Sequence, residues 1–161
     1  MKKGMIYIDI KKCLACKSCE IACAVEHSIS KDIIGALKEK NRPKKRRSVQ
    51  GSKGTVISIA CQNCKLAPCV TACMAGAMFK DEEGHTFHDE QKCIGCCMCV
   101  MVCPFGVINR GEHIVLKCDF CPDIKDGYAC VKACPTGALF VGTEEEFRKR
   151  INDKKAKEVR K

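Results

Sequence analysis

The sequence predicts a small, loop-rich α+β fold built as two similar halves, and three observations carry that prediction. Sixteen of the seventeen cysteines fall into four blocks of four. Each block sits in the same local frame: a short strand, a cysteine-bearing loop, a short helix and a second strand. Large apolar side chains are scarce, with five leucines, no tryptophan and eight aromatics among 161 residues. A chain of this length makes one compact domain or two small ones. One with so little to bury calls for disulfide or metal staples.

The elements follow in chain order. Met5-Ile6-Tyr7-Ile8-Asp9-Ile10 alternates in part and reads as a strand leading into the first block. Residues 13–27 form a cysteine loop and start a helical turn around Cys19 to Glu26. The longest gap between blocks, residues 24–60, holds a helix over Lys31 to Lys40. Asn41 to Arg47 is then a loop by its proline and its charge. Glycines at 51 and 54 precede a second strand, Thr55 to Ala60. His85 to Asp89 is a strand before block three. Gly106 to Asn109 and His113 to Lys117 flank Arg110-Gly111-Glu112 as a hairpin. Phe140-Val141 is a last strand. Thr143-Glu144-Glu145-Glu146 opens a C-terminal helix through a capping box, with sparse apolar positions at Phe147, Ile151 and Val159. No run approaches the ~18 apolar residues of a membrane span.

The blocks are Cys13-Cys16-Cys19-Cys23, Cys61-Cys64-Cys69-Cys73, Cys93-Cys96-Cys99-Cys103 and Cys118-Cys121-Cys130-Cys134. The first and third have the C-x2-C-x2-C-x3-C run whose thiolates hold [4Fe-4S] clusters; the others lengthen its middle loop. Sixteen thiolates at four per cluster imply four clusters, hence a polyferredoxin that conducts electrons. Two units make one two-cluster ferredoxin-like subdomain, so four make two. The fourth cysteine of a run ligates the neighbouring cluster. Spacing alone allows blocks one with two and three with four.

Rival uses of cysteine fit less well. A disulfide scaffold belongs to secreted chains, whereas Met1 to Asp9 has neither a long apolar stretch nor a small-residue cleavage site. A reducing, cytoplasmic location is therefore expected. A zinc-stapled interaction module would use two Cys-x-x-Cys knuckles across a longer loop, without a third and fourth cysteine crowded behind each. Cys103-Pro104 and Cys134-Pro135 add the proline that closes the bacterial cluster run.

The formal charge is +10, but an oxidised cubane with four thiolates carries about −2. Four of them bring the chain close to neutral, which removes the argument for a nucleic-acid partner. Lys12, Lys17, Lys65, Lys92 and Lys117 stand beside ligands and read as solvated rim charge, with an upward pull on cluster potentials as the other reading. Lys44 to Arg47 reads as a solvated loop, or else a docking patch for an acidic surface. His27, His85, His88 and His113 are scattered and read as surface or strand residues. Cys97 is a spare thiol in the third loop. No catalytic constellation, phosphate loop or dinucleotide fingerprint is present, so the chain reads as an electron carrier and not as an enzyme.

The four block spacings, in their order, resemble the four-cluster electron-transfer subunits of the dimethyl sulfoxide reductase type, over about residues 5–141. That resemblance implies pairing of block one with four and two with three. One cluster would then take Cys13, Cys16, Cys19 and Cys134, and its neighbour Cys118, Cys121, Cys130 and Cys23. A third would take Cys61, Cys64, Cys69 and Cys103, and the fourth Cys93, Cys96, Cys99 and Cys73. Subdomain one would comprise 1–54 plus 112–161, and subdomain two 55–111. More narrowly, Cys19 to Ser28 and Lys117-Cys118-Asp119-Phe120-Cys121 resemble the CooF-type subunits. These carry electrons from carbon monoxide dehydrogenase, in anaerobic metabolism, to a hydrogenase or another acceptor such as an NAD(P) or flavin oxidoreductase. A tungsten- or molybdenum-dependent aldehyde or formate oxidoreductase is the alternative partner. Met74 departs from the pattern where a proline would follow the fourth cysteine, and the tail from Thr143 has no counterpart.

Overall fold

A computed structural model describes residues 4–52, 54–125 and 127–159. The order of elements is β1 (Met5–Ile8), a 3-10 turn (Ile10–Lys12), α1 (Ser18–Glu26), α2 (Ile33–Lys38), β2 (Ser48–Ser52), β3 (Thr55–Ile59), α3 (Pro68–Thr71), β4 (Met78–Lys80), β5 (Thr86–His88), α4 (Met98–Val102), β6 (Asn109–Arg110), β7 (Val115–Leu116), α5 (Ala129–Lys132), β8 (Leu139–Gly142) and α6 (Glu144–Val159). The α+β, loop-rich character expected from the sequence is what the chain adopts.

Among the described residues the strands make four two-stranded antiparallel sheets, β1–β8, β2–β3, β4–β5 and β6–β7. The strand leaving block four pairs with the strand entering block one, through Tyr7 opposite Phe140 and Ile8 opposite Leu139. The strand leaving block two pairs likewise with the strand entering block three, through Met78 opposite His88. The Asp9 amide donates to the Ala138 carbonyl at 2.8 Å, and the Asp89 amide to the Ala77 carbonyl at 2.8 Å. The same join is thus made twice, once across the whole chain and once locally. Helix α1 packs on α5, and α3 on α4.

Two apolar cores result. One gathers Cys19, Phe120, Cys121, Tyr128, Cys130 and Leu139; the other gathers Met78, Cys99, Ile108 and Val115. Cysteines make up much of both, as expected of a chain poor in leucine. Tyr128 is 1% exposed and donates its hydroxyl proton to the Gly4 carbonyl at 2.6 Å, fastening the N-terminal strand.

Several expectations need correction. The helix expected over Lys31 to Lys40 shortens to α2, because Asp32 caps it by accepting from the Ile34 and Gly35 amides. Gly51 lies within a strand, β2, instead of before one, and β4 is a further strand that the sequence did not announce. The hairpin around Arg110 forms with strands of two residues each. The capping box is realised: the Thr143 amide donates to the Glu146 carboxylate at 2.9 Å, and the Glu146 amide to the Thr143 hydroxyl at 3.3 Å. Phe147 stacks on Tyr7 at 4.9 Å and Arg150 lies 4.1 Å from the Phe140 ring, so the start of α6 packs against the β1–β8 pair. The side chain of Val159 lies outside the described residues.

Candidate metal centres

A shared backbone device shapes all four cysteine loops. The second residue after the leading cysteine has positive φ in every block: Ala15 (57°), Asn63 (48°), Gly95 (70°) and Phe120 (63°). Only one of these is glycine, and there a side chain would run into the His113 carbonyl. Left-handed residues in such loops turn successive N–H groups toward one centre, which suits an anionic group, and strain of this kind concentrates at functional sites. In blocks one and three the residue after the second cysteine repeats the device, at Lys17 and Cys97.

Behind the fourth cysteine a second device recurs. The amides of Gly76, Gly106 and Gly137 donate to the carbonyls of Cys73, Cys103 and Cys134, each at 3.2 Å. The following segment then aims an N–H at sulfur, Met78 at Cys73 (3.4 Å) and Leu139 at Cys134 (3.5 Å). Block one departs from this because α1 continues past Cys23 to Glu26. Its sulfur is served from elsewhere: the Arg46 amide donates to Cys23 Sγ at 3.2 Å.

These loops bring the thiols together in groups. Cys13, Cys16, Cys19 and Cys134 line one pocket, and Cys73, Cys93, Cys96, Cys97 and Cys99 line another. Cys23 feels the charge of Cys118, Cys130 and Cys121. Cys69 feels that of Cys61 and Cys103. Cys64 sits on the loop that carries Cys61, with Asn63 between them. Cys97, the spare, donates to the Gly95 carbonyl at 3.3 Å.

All seventeen cysteines are free thiols. Burial pushes Cys23 and Cys121 up to about 12 and Cys99 up to about 11, and their neighbouring cysteines push the same way. Such thiols ionise only if a cation takes the proton's place, as a metal does. Burial also raises Cys134, but the Leu139 amide and the Thr136 hydroxyl overcome it and hold that thiol below its usual range. A donor set of crowded sulfurs with N–H groups directed at them fits iron–sulfur clusters, whose sulfurs accept such hydrogen bonds.

The surroundings overturn three expectations about charge. The basic loop is not a solvated segment at its C-terminal end. Arg46 pairs with Asp119, and with Glu90 at 3.2 Å, while Lys45 pairs with Glu20 at 2.7 Å. Arg47 is 5% exposed and donates to the Ser58 carbonyl at 3.0 Å. His27 is not a plain surface residue: its Nε2 lies 3.1 Å from the Asp119 carboxylate and its Nδ1 donates to the Cys23 carbonyl at 2.6 Å. Burial would raise Asp119, yet His27 and Arg46 hold its carboxyl down at about 2. Lys117 is not rim charge, being 2% exposed. Periodicity gave no sign of these positions; each is buried by segments remote in sequence. Outside the cysteine loops, Asp81, Glu83 and His85 group near the β4–β5 turn, and the carboxylates there are common surface features.

Among the described residues, no helix is long and apolar enough to cross a membrane. The family profile described as "4Fe-4S dicluster domain" matches residues 52–144. The chain is 38% identical to an "Iron-sulfur protein" of Rhodospirillum rubrum, covering 98% of this chain and 91% of the relative. It is 35% identical to the thiosulfate reductase electron transfer subunit PhsB of Salmonella typhi, over 86% of this chain and 74% of that one. It is 34% identical to the B subunit of the anaerobic dimethyl sulfoxide reductase of Escherichia coli (strain K12), over 91% and 77%.

Proposed function

Because the chain belongs to the 4Fe-4S dicluster family, we propose that it is a non-catalytic electron-transfer subunit relaying electrons through four [4Fe-4S] clusters to or from a redox enzyme. The observation that carries the proposal is the grouping of thiols, each group drawing its last cysteine from a different block. Cys13, Cys16 and Cys19 share a pocket with Cys134, and Cys93, Cys96 and Cys99 with Cys73. Cys118, Cys121 and Cys130 act on Cys23, and Cys61 with Cys103 acts on Cys69, on the loop that also holds Cys64. The two repeated strand joins, β8 with β1 and β4 with β5, support the division into 1–54 plus 112–161 and 55–111.

When bound, a cluster supplies one-electron chemistry without bond making. The protein does the remaining work. It keeps the sulfurs as thiolates, directs amides of Arg46, Met78 and Leu139 at them, and keeps several of them from water. Relatives named as subunits of thiosulfate reductase and dimethyl sulfoxide reductase act beside a separate catalytic subunit, and the same arrangement is proposed here.

The favoured partner is carbon monoxide dehydrogenase, with a hydrogenase or an NAD(P) or flavin oxidoreductase as acceptor; the resemblance of residues 19–28 and 117–121 to CooF-type subunits supports this. The similarity to subunits of two reductases favours, as a second reading, service to a tungsten- or molybdenum-dependent aldehyde or formate oxidoreductase. Anaerobic purification tests the clusters: about 16 iron and 16 acid-labile sulfide per polypeptide are expected, and zinc without sulfide would reject them. Carbon monoxide with its dehydrogenase should bleach the cluster absorbance; failure to bleach, with clusters present, selects the second reading.

A further inference from the structure

Two basic side chains are buried without an opposing carboxylate. Lys117 donates from Nζ to the Cys118 carbonyl at 2.8 Å and to the Thr86 carbonyl. Thr86 in turn donates its amide to Asn63 Oδ1 at 2.8 Å, inside the loop of block two. Lys117 therefore sits where the loops of blocks two and four meet. Arg47 donates from Nη1 to the carbonyl of Ser58 and to its hydroxyl at 3.2 Å, and that hydroxyl lies 3.2 Å from Cys19 Sγ. The Nε of Arg47 has no partner. Neither cation makes an ion pair with Asp or Glu among the described residues.

A cation removed from water is costly unless an anion faces it. The groups that Lys117 acts on are Cys69 and Cys118, and those that Arg47 acts on are Cys19 and Cys118. Carbonyl dipoles satisfy the donors but leave the charge uncompensated. Resting on the four-cluster reading, we infer that Lys117 and Arg47 are buried counter-cations of the clusters, whose charge raises the reduction potentials of the clusters bound by the cysteines they face. An electron added to a cluster is stabilised by a nearby positive charge, and the more so in a dry surrounding. The cluster bound through Cys118 would feel both cations. Those bound through Cys69 and Cys19 would feel one each, and the one bound through Cys93, Cys96 and Cys99 neither.

The test compares anaerobically purified wild-type protein with Lys117→Gln and Arg47→Gln, measuring iron and sulfide first and then titrating the four couples by electron paramagnetic resonance. Each variant should lower two couples, with one couple common to both variants, one private to each, and one unmoved in either. The expected shift is about tenfold in the reduced-to-oxidised ratio at fixed potential, about 59 mV for a one-electron couple. Exchanges that keep the charge, Lys117→Arg and Arg47→Lys, should leave the couples near wild type. Unshifted couples at full iron content, or all four moving together, would overturn the inference. Iron loss in a glutamine variant that the charge-keeping exchange restores supports it, and iron loss in both kinds of variant overturns it. Wild-type protein without sulfide would instead strike the four-cluster reading itself.

Discussion

The region built from α1, α5 and the β1–β8 pair buries Cys19, Cys23, Cys121 and Cys130, whereas the region built from α3, α4 and the β4–β5 hairpin buries only Cys99. Closure explains the contrast. In the first region the ends of the chain meet: β1 pairs with β8, Tyr128 reaches Gly4, and Asp119 holds both His27 and Arg46. The second is made from hairpins and helices that are near neighbours in sequence. The first region also recruits residues 45–49 of the long linker. Lys45 and the Val49 amide hold the buried Glu20 of α1, and the Arg46 amide reaches Cys23. Where α1 overruns the turn that the other blocks use to direct an amide at sulfur, the linker supplies that amide. Sulfurs that differ in burial and in hydrogen bonds are expected to hold clusters of different potential, so one repeat yields unlike sites.

The strongest way to break this comparison is to remove the iron. Anaerobic chelation should unfold the protein cooperatively, since metal binding supplies much of its folding free energy. Hydrogen exchange should show β4–β5 amides released no later than those of β1–β8; the reverse order would mean that long-range closure does not stabilise the first region. Next in size, Tyr128→Ala should destabilise the loaded protein by about 3–5 kcal/mol, as removal of a large buried ring does. Phe79→Ala, at a site 44% exposed in the second region, should cost well under half of that. Denaturant midpoints of the two variants decide it. Asp119→Ala should cost about 2–3 kcal/mol, because it strands Arg46 and His27 beside Cys23. It should also change the spectrum of the cluster that Cys23 is proposed to bind, and an unchanged spectrum would limit Asp119 to a structural role. The smallest effect is Thr143→Ala, about 1 kcal/mol from a lost helix cap. Circular dichroism should register it as fraying of α6, with cluster absorbance intact.

The cysteine loops were legible because their order is local. Four residues at fixed spacing, a strand before and a turn after need only neighbours in sequence, and the left-handed residues Ala15, Asn63, Gly95 and Phe120 confirm one loop design in four copies. Short alternating segments were enough for β1, β3, β5 and β8. Strand β4 escaped because Met78-Phe79-Lys80 is too short to show a period, and β2 because Gly51 reads as a turn and not as part of a pairing strand. Lys117 and Arg47 carry no local mark of burial: charged residues are normally at the surface.

What the amino-acid order determined by itself was the number of thiols, their spacing and the poverty of the rest of the core, since these depend on composition and on contacts a few residues apart. Only the tertiary structure decided which blocks stand side by side, where the ends of the chain join, and which charges lose their water. Those outcomes turn on the packing of segments tens of residues apart, where a lysine's surroundings, and so its energy, are set by partners that no spacing along the chain announces.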